Sequence, residues 1–308
     1  MQVNFGGIVP LSTVDWLGRA AMVVFLRGCP LRCPHCHNQR LQTGERFVAL
    51  HTIASRIVSE VKGFPAARWA RIRVDVPICA LSSISPLSPL SLPSPLSPLA
   101  ALSLQINLED ASQRASCKPF VNALVLSGGE PLLQPQACAG LFRLARSLHL
   151  ATGLETSGCF PGRLETLLAK GLVDKVFLDL KTALLEPDYE KATGRGGMAA
   201  RVQESLEICF KLGVELDVRS TIFPEMPSCS QLEEIARTLC RLKALYPENR
   251  LESMTLQQGL AREGEARFEP VSIEALQEMA RACEIDCGTD STKLMVRIRA
   301  APKITWKN

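Results

Sequence analysis

A chain of 308 residues, 46% of them hydrophobic, can bury one large α/β core or two small ones. Its formal charge of +4 is mild and no Lys/Arg run marks a nucleic-acid footprint, so no nucleic-acid partner is expected. Met1 to Trp16 lacks the basic start and apolar core of a signal peptide, and the apolar run Ala20–Leu26 is far below the roughly 20 residues of a spanning helix; a cytoplasmic protein without a membrane role is expected.

Apolar, β-rich runs occupy Ala20–Leu26, Asn122–Leu126, Leu150–Glu155, Val173–Leu178, Val214–Ile222 and Leu251–Leu256. Helical periodicity covers about 51–62, 134–148, 161–170, 198–212, 230–245 and 272–283. Strand and helix in alternation predict a parallel sheet with crossover helices. Six such units predict an α/β fold, a partial (β/α)6 TIM-type barrel, with 1–308 as one domain. One segment interrupts the pattern. Residues 76–108 carry no charged side chain and read as Ser-Pro-Leu repeats, with six prolines between Val76 and Leu104 that exclude a helix or central strand. A polyproline-like or disordered surface insert is expected there. The last residues, 284–308, read as a tail with no assigned role.

Most of the 12 cysteines are scattered singly or in loose pairs. Cys138, Cys159, Cys209 and Cys240 read as buried small hydrophobes, and Cys283 and Cys287 as ordinary helix and loop cysteines. Only Cys29, Cys33 and Cys36 are dense, in the run Arg27-Gly-Cys-Pro-Leu-Arg-Cys-Pro-His-Cys-His-Asn38. In a reducing cytosol such a cluster is metal-binding rather than bridged. A CxxxCxxC with no fourth cysteine nearby would leave one iron of a 4Fe–4S cluster without a protein ligand, open to a substrate or cofactor. The alternative is a zinc knuckle completed by His35 or His37.

Further chemistry-bearing residues fall at the ends of successive expected strands. Ser127-Gly-Gly-Glu-Pro131 follows the second, Glu155-Thr-Ser-Gly158 the third and Asp179-Leu-Lys181 the fourth, while Arg219 lies within the fifth. In (β/α) barrels the C-terminal strand ends build the active site, so these residues are expected to converge on one cavity. Gly128 and Gly129 let backbone approach a ligand, and their exposed amides can bond the charged end of a cofactor while Glu130 steadies the turn. Arg219 needs a partner, either a cofactor carboxylate or one of Asp217 and Glu215. For the strand-end acids and Lys181 the alternative is a solvated ion pair.

Together these motifs resemble the radical S-adenosylmethionine (SAM) superfamily. The segment Asn4-Phe-Gly-Gly-Ile-Val-Pro-Leu-Ser-Thr-Val-Asp-Trp16, running into Phe25-Leu-Arg-Gly-Cys29 and His37-Asn38, resembles the anaerobic ribonucleoside-triphosphate reductase activating proteins of the glycyl-radical enzyme activating family. Leu17 stands where that family often has proline. The resemblance implies a 4Fe–4S cluster on Cys29, Cys33 and Cys36 through which catalysis runs, His35 beside the SAM adenine, and Gly128, Gly129 and Glu130 at its amino group. It also implies Glu155, Thr156, Ser157, Asp179 and Lys181 around the SAM carboxylate and ribose, with Arg219 on a carboxylate. A flavodoxin- or ferredoxin-type donor would reduce the cluster. SAM would then cleave to a 5′-deoxyadenosyl radical that takes a hydrogen atom from a glycine of the reductase. Two rival readings are a small-molecule radical SAM enzyme such as 7-carboxy-7-deazaguanine synthase, and a non-catalytic metal-binding or electron-transfer module.

Overall fold

The computed structural model describes residues 1–62, 121–260, 268–287 and 293–300. The Ser/Pro/Leu insert at 76–108 lies outside them, as do parts of the 284–308 tail. The chain divides into two compact units, Met1–Leu50 with Phe120–Asn308, and His51–Pro119.

The first unit begins with β1 (Gln2–Ser12), β2 (Ala21–Leu26), α1 (Gln39–Gln42) and β3 (Phe47–Ala49). The amphipathic helix α2 (Leu50–Lys62) opens the second unit. On return, the first unit runs β4 (Ala123–Gly128), α3 (Pro135–Ser147), β5 (Ala151–Thr156), α4 (Pro161–Ala169) and β6 (Lys175–Asp179). It continues through α5 (Asp188–Thr193), α6 (Met198–Lys211), β7 (Glu215–Ile222), α7 (Cys229–Leu245), β8 (Arg250–Gln258), α8 (Ile273–Cys283) and β9 (Val296–Arg299). Local signals set the helix starts. Pro135 and Pro161 sit at first helical positions, where their missing N–H costs nothing. Ser228 and Gln231 cap each other's backbone at the start of α7, as a capping box.

The strands form one sheet in the order β3-β1-β2-β4-β5-β6-β7-β8-β9. From β2 through β4 to β9 every pairing is parallel, and β1 runs antiparallel to both β2 and β3. This is the expected partial TIM-type barrel, with helices carrying the chain back between parallel strands. The six expected strands and six expected helices are all present. Three strands and two helices were not foreseen: β1, β3, β9, α1 and α5. The edge strand β9 means that part of the supposed tail completes the sheet on β8.

The concave face changes character around the barrel. Over β2 and β4 it is apolar, where Trp16, Ala21, Val23, Ala123, Val125 and Phe177 cluster and the Trp16 and Phe177 rings meet edge to face at 5.6 Å. Over β6 to β9 it is ionic. Lys175 pairs with Glu215 at 3.0 Å and with Glu252, which also accepts from Arg297 at 2.8 Å. Burial pulls the Lys175 ammonium below its usual range, against the opposing pull of Glu215.

A disulfide corrects the reading of two cysteines. Cys240 of α7 bonds Cys287, just beyond α8. Neither is the isolated thiol expected from sequence, because helix packing brings Cα atoms 47 residues apart to 4.7 Å. Cys138, Cys159 and Cys209 are free and buried, as expected. Among the described residues, no helix is long and apolar enough to cross a membrane.

Candidate active site

The cysteine loop leaves the end of β2 and is tied at several points. Gly28 and Cys29 N–H donate to the carbonyls of Leu41 and Gln42, at 2.8 and 3.1 Å, which anchors its first half to α1. Arg32 folds back onto the carbonyls of Cys29 and Leu31, each at 2.7 Å, and Cys36 N–H donates to Cys33 O at 3.2 Å. Cys33 is buried, whereas Cys29 and Cys36 are half-buried. Burial pushes the Cys29 thiol up to about 12 and raises that of Cys33, which Lys181 pulls the other way.

The Gly-Gly-Glu-Pro turn packs directly under this loop. Leu26 and Gly128 are register partners, and a Cβ on Gly128 would lie 2.0 Å from the Leu26 carbonyl oxygen, so no larger residue fits. The amides of Gly129 and Glu130 donate to Leu26 O and Gly28 O, at 2.9 and 2.8 Å. Of the two glycine amides expected to face a ligand, that of Gly129 is thus taken by the Leu26 carbonyl. Together the Gly129 and Glu130 amides join the turn to the cysteine loop. A cofactor's ammonium in any case donates hydrogen bonds, so carbonyls suit it better than amides.

Glu130 does more than steady the turn. It is fully buried, and accepts from Leu132 N–H at 3.0 Å, Thr156 Oγ1 at 2.8 Å, Ser157 N–H at 2.9 Å and Ser157 Oγ at 2.5 Å. Thr156 and Ser157 are thus committed to fastening the end of β5 to the end of β4. Ser157 Oγ also lies 3.1 Å from Cys159 Sγ. Burial raises the Glu130 carboxyl against the downward pull of these bonds.

Glu155 and Arg219 meet across the barrel at 2.7 Å, and Arg219 also pairs with Asp217 at 2.9 Å. Its third arm donates to the Asp15 carbonyl at 2.7 Å, and the guanidinium lies 3.9 Å above the Phe177 ring. Of the alternatives weighed for Arg219, Asp217 is a partner; Glu215 pairs instead with Lys175 and Arg250, and Glu155 was not among the partners considered. Asp179 is the register partner of Arg219 and holds Lys181 at 3.0 Å. Lys181 is raised above its usual range because Asp179 and Cys33 outweigh its burial.

His35 is buried beside Phe223, with ring centroids 5.9 Å apart. Both line a cavity of about 200 Å³, together with Thr182, Asp188, Glu225 and Phe268. Phe268 closes edge to face on Phe223 at 5.3 Å. The sequence reading had missed both phenylalanines. Phe223 follows the end of β7, so the strand-end rule that found the other residues could have found it; Phe268 follows no motif.

Among the described residues, no group of three or more His, Cys, Asp or Glu side chains could hold a single metal ion, so the arrangement a zinc knuckle needs is absent there. A cubane has different requirements, since each thiolate takes a separate iron. The donor set suits it: burial holds the Cys29 and Cys33 thiols in their neutral form, so that cationic iron is what would make them favourable thiolates, and Lys181 lies in electrostatic reach of Cys33.

The profile of the radical SAM superfamily matches residues 100–239, which include the strand-end motifs through Arg219 but not the cysteine loop. A provisionally named glycyl-radical enzyme activating enzyme of Methanocaldococcus jannaschii is 25% identical over 249 residues, 80% of either chain. The isethionate sulfite-lyase activating enzyme of Oleidesulfovibrio alaskensis is 26% identical, over 72% of this chain and 74% of its own. In fold, the chain is similar to a solved structure of TYW1 with a lysine–pyruvate adduct bound, at a TM-score of 0.54 and 11% identity, covering 88% of this chain and 76% of that one. The barrel, the strand-end residues and the superfamily match make the chain similar to the radical SAM enzymes, a class whose cofactors are a 4Fe–4S cluster and SAM. Within that class, the chain is similar to the glycyl-radical enzyme activating enzymes.

Proposed function

We propose that this chain is an activase that generates a glycyl radical on a partner protein, and that the partner is an anaerobic ribonucleoside-triphosphate reductase. The observation that carries the reading is the cysteine loop itself: three thiols, fastened from below by the Gly-Gly-Glu-Pro turn, beside the Asp179–Lys181 pair. The activating-enzyme relatives support the general activity, and the run Val14-Asp-Trp16 with His37-Asn38 supports the reductase.

Cys29, Cys33 and Cys36 would hold three corners of the cluster, and Lys181 would attract the carboxylate of SAM. His35, Phe223 and Phe268 offer an aromatic wall suited to a purine. When bound and reduced by a flavodoxin- or ferredoxin-type donor, the cluster and SAM supply a hydrogen-abstracting radical. The protein's part is to fix the geometry and exclude water. Glu130, Thr156 and Ser157 lock two strand ends together, and the Arg219 network keeps charges near the site paired.

Replacing Cys29, Cys33 or Cys36 by Ala is expected to abolish cluster assembly and 5′-deoxyadenosine formation. Unchanged iron content and yield in all three variants would overturn the cluster assignment. Anaerobic incubation of the reconstituted chain with SAM and the reductase should give a glycyl-type EPR doublet. SAM cleavage without that doublet would exclude the reductase as partner.

A further inference from the structure

The middle of the cysteine loop rests on the end of α5. Arg32 N–H donates to the Thr193 carbonyl at 2.8 Å, and Arg195 Nη1 to the Pro30 carbonyl at 3.3 Å. Between Thr193 and Arg195, Gly194 closes the helix in the left-handed region, at φ +65°. A Cβ on Gly194 would lie 2.8 Å from the Arg32 carbonyl oxygen, 3.1 Å from Arg32 Cβ and 3.2 Å from its carbonyl carbon. Only a glycine lets two backbones meet so closely. Both peptide groups of Arg32 are therefore fixed by one turn, the first by a hydrogen bond and the second by contact. The second carries the nitrogen of Cys33, the buried member of the three thiols, so its plane sets how that side chain departs.

The turn is itself firmly mounted. Thr193 is fully buried, and its Oγ1 lies between Tyr189 O and Arg195 O, at 2.7 and 3.0 Å. Glu186 accepts from Glu190 N–H at 2.9 Å and from Ala199 N–H at 3.3 Å, which joins the starts of α5 and α6. Asp188 accepts from Gln231 of α7 at 2.8 Å. A helix of six residues forms poorly alone, so these ties are what hold its end against the loop.

We propose that Gly194 is a positioning residue: its missing side chain lets the α5 turn hold the stretch from Pro30 to Cys33 in ligating shape before iron arrives. This rests on the cluster assignment made above. A loop already in shape binds without a further ordering cost, whereas a displaced one must be ordered as the metal binds.

The test compares the full-length parent chain with Gly194→Ala and Gly194→Asn after anaerobic reconstitution with ferrous iron and sulfide. Asparagine tolerates the left-handed region but still carries a Cβ, so it separates backbone strain from contact with the loop. Both variants should lose iron to a chelator about tenfold faster than the parent. The iron-free Gly194→Asn chain should keep a urea midpoint close to the parent's. Iron loss at the parent's rate in both variants, or in Gly194→Asn alone, would overturn the inference and leave the cluster assignment standing. Urea midpoints that fall in step with iron retention would show that the turn merely supports the fold, and would also overturn it. A parent chain that takes up no iron would overturn both the inference and the cluster assignment. Should neither glycine variant fold, Thr193→Val decides the matter, since it loosens the turn without crowding the loop. Faster iron loss is expected there, and the parent's rate would overturn the inference.

Discussion

Three groups share the guanidinium of Arg219: Asp217 at Nε, Glu155 at Nη1 and the Asp15 carbonyl at Nη2. Asp217 is further satisfied by Ser253 and Thr255 from β8, at 3.0 and 2.7 Å. The arginine is 5% exposed, so removing it leaves two carboxylates in a site with little water to replace it. Arg219→Ala should lower unfolding free energy by about 3 kcal/mol, read as an earlier urea midpoint. An unchanged midpoint would mean that the carboxylates find other partners. The sequence showed a charge inside an apolar strand, and that anomaly was enough to single out Arg219. It could not show Glu155 as the partner, because β6 lies between β5 and β7 and only barrel curvature brings the two side chains together. Glu130 is similar. Its motif was legible, but the use of Thr156 and Ser157 to satisfy it depends on how β4 and β5 end beside one another.

At the level of elements, legibility followed burial. The parallel strands β2 and β4 to β8 are covered by the barrel interior on one side and helices on the other, so they read as apolar runs. By contrast, β1 is half-exposed along most of its length, β3 has only three residues, and β9 is a short edge strand with two arginines. Such strands give little period-2 signal. The helix α5 has six residues, too few for periodicity to register. Helix starts were better marked, and the cap of α7 is open to test. Ser228→Ala removes one half of the box and should cost about 1 kcal/mol in denaturant unfolding. No measurable loss would mean that Gln231 or Ser230, whose hydroxyl is 3.0 Å from that of Ser228, takes over the exposed amide.

Across the whole molecule, the barrel wall has two edges, and at the β9 edge several attachments coincide. Arg297 pairs with Glu252 at 2.8 Å, and Arg299 with Asp15 at 3.4 Å, which ties the last strand to the segment around Trp16. Just before β9, Leu294 N–H donates to Ile285 O at 3.1 Å, and the Cys240–Cys287 bond pins the residues beyond α8 to α7. Closing a loop over a 47-residue separation restrains the unfolded chain by about 4 kcal/mol in the chain-entropy account. Reductant should therefore lower the melting temperature by roughly 5–10 °C, and a Cys287→Ser variant should melt alike with and without it. A parent protein indifferent to reductant would show that the bond contributes nothing. The proposed chemistry requires a strong electron donor, whereas this bond survives only where such donors are scarce. Preparations kept in air and preparations kept anaerobically with reductant should thus be two different samples, separated by the mass of two protons and by how firmly they hold their final strand.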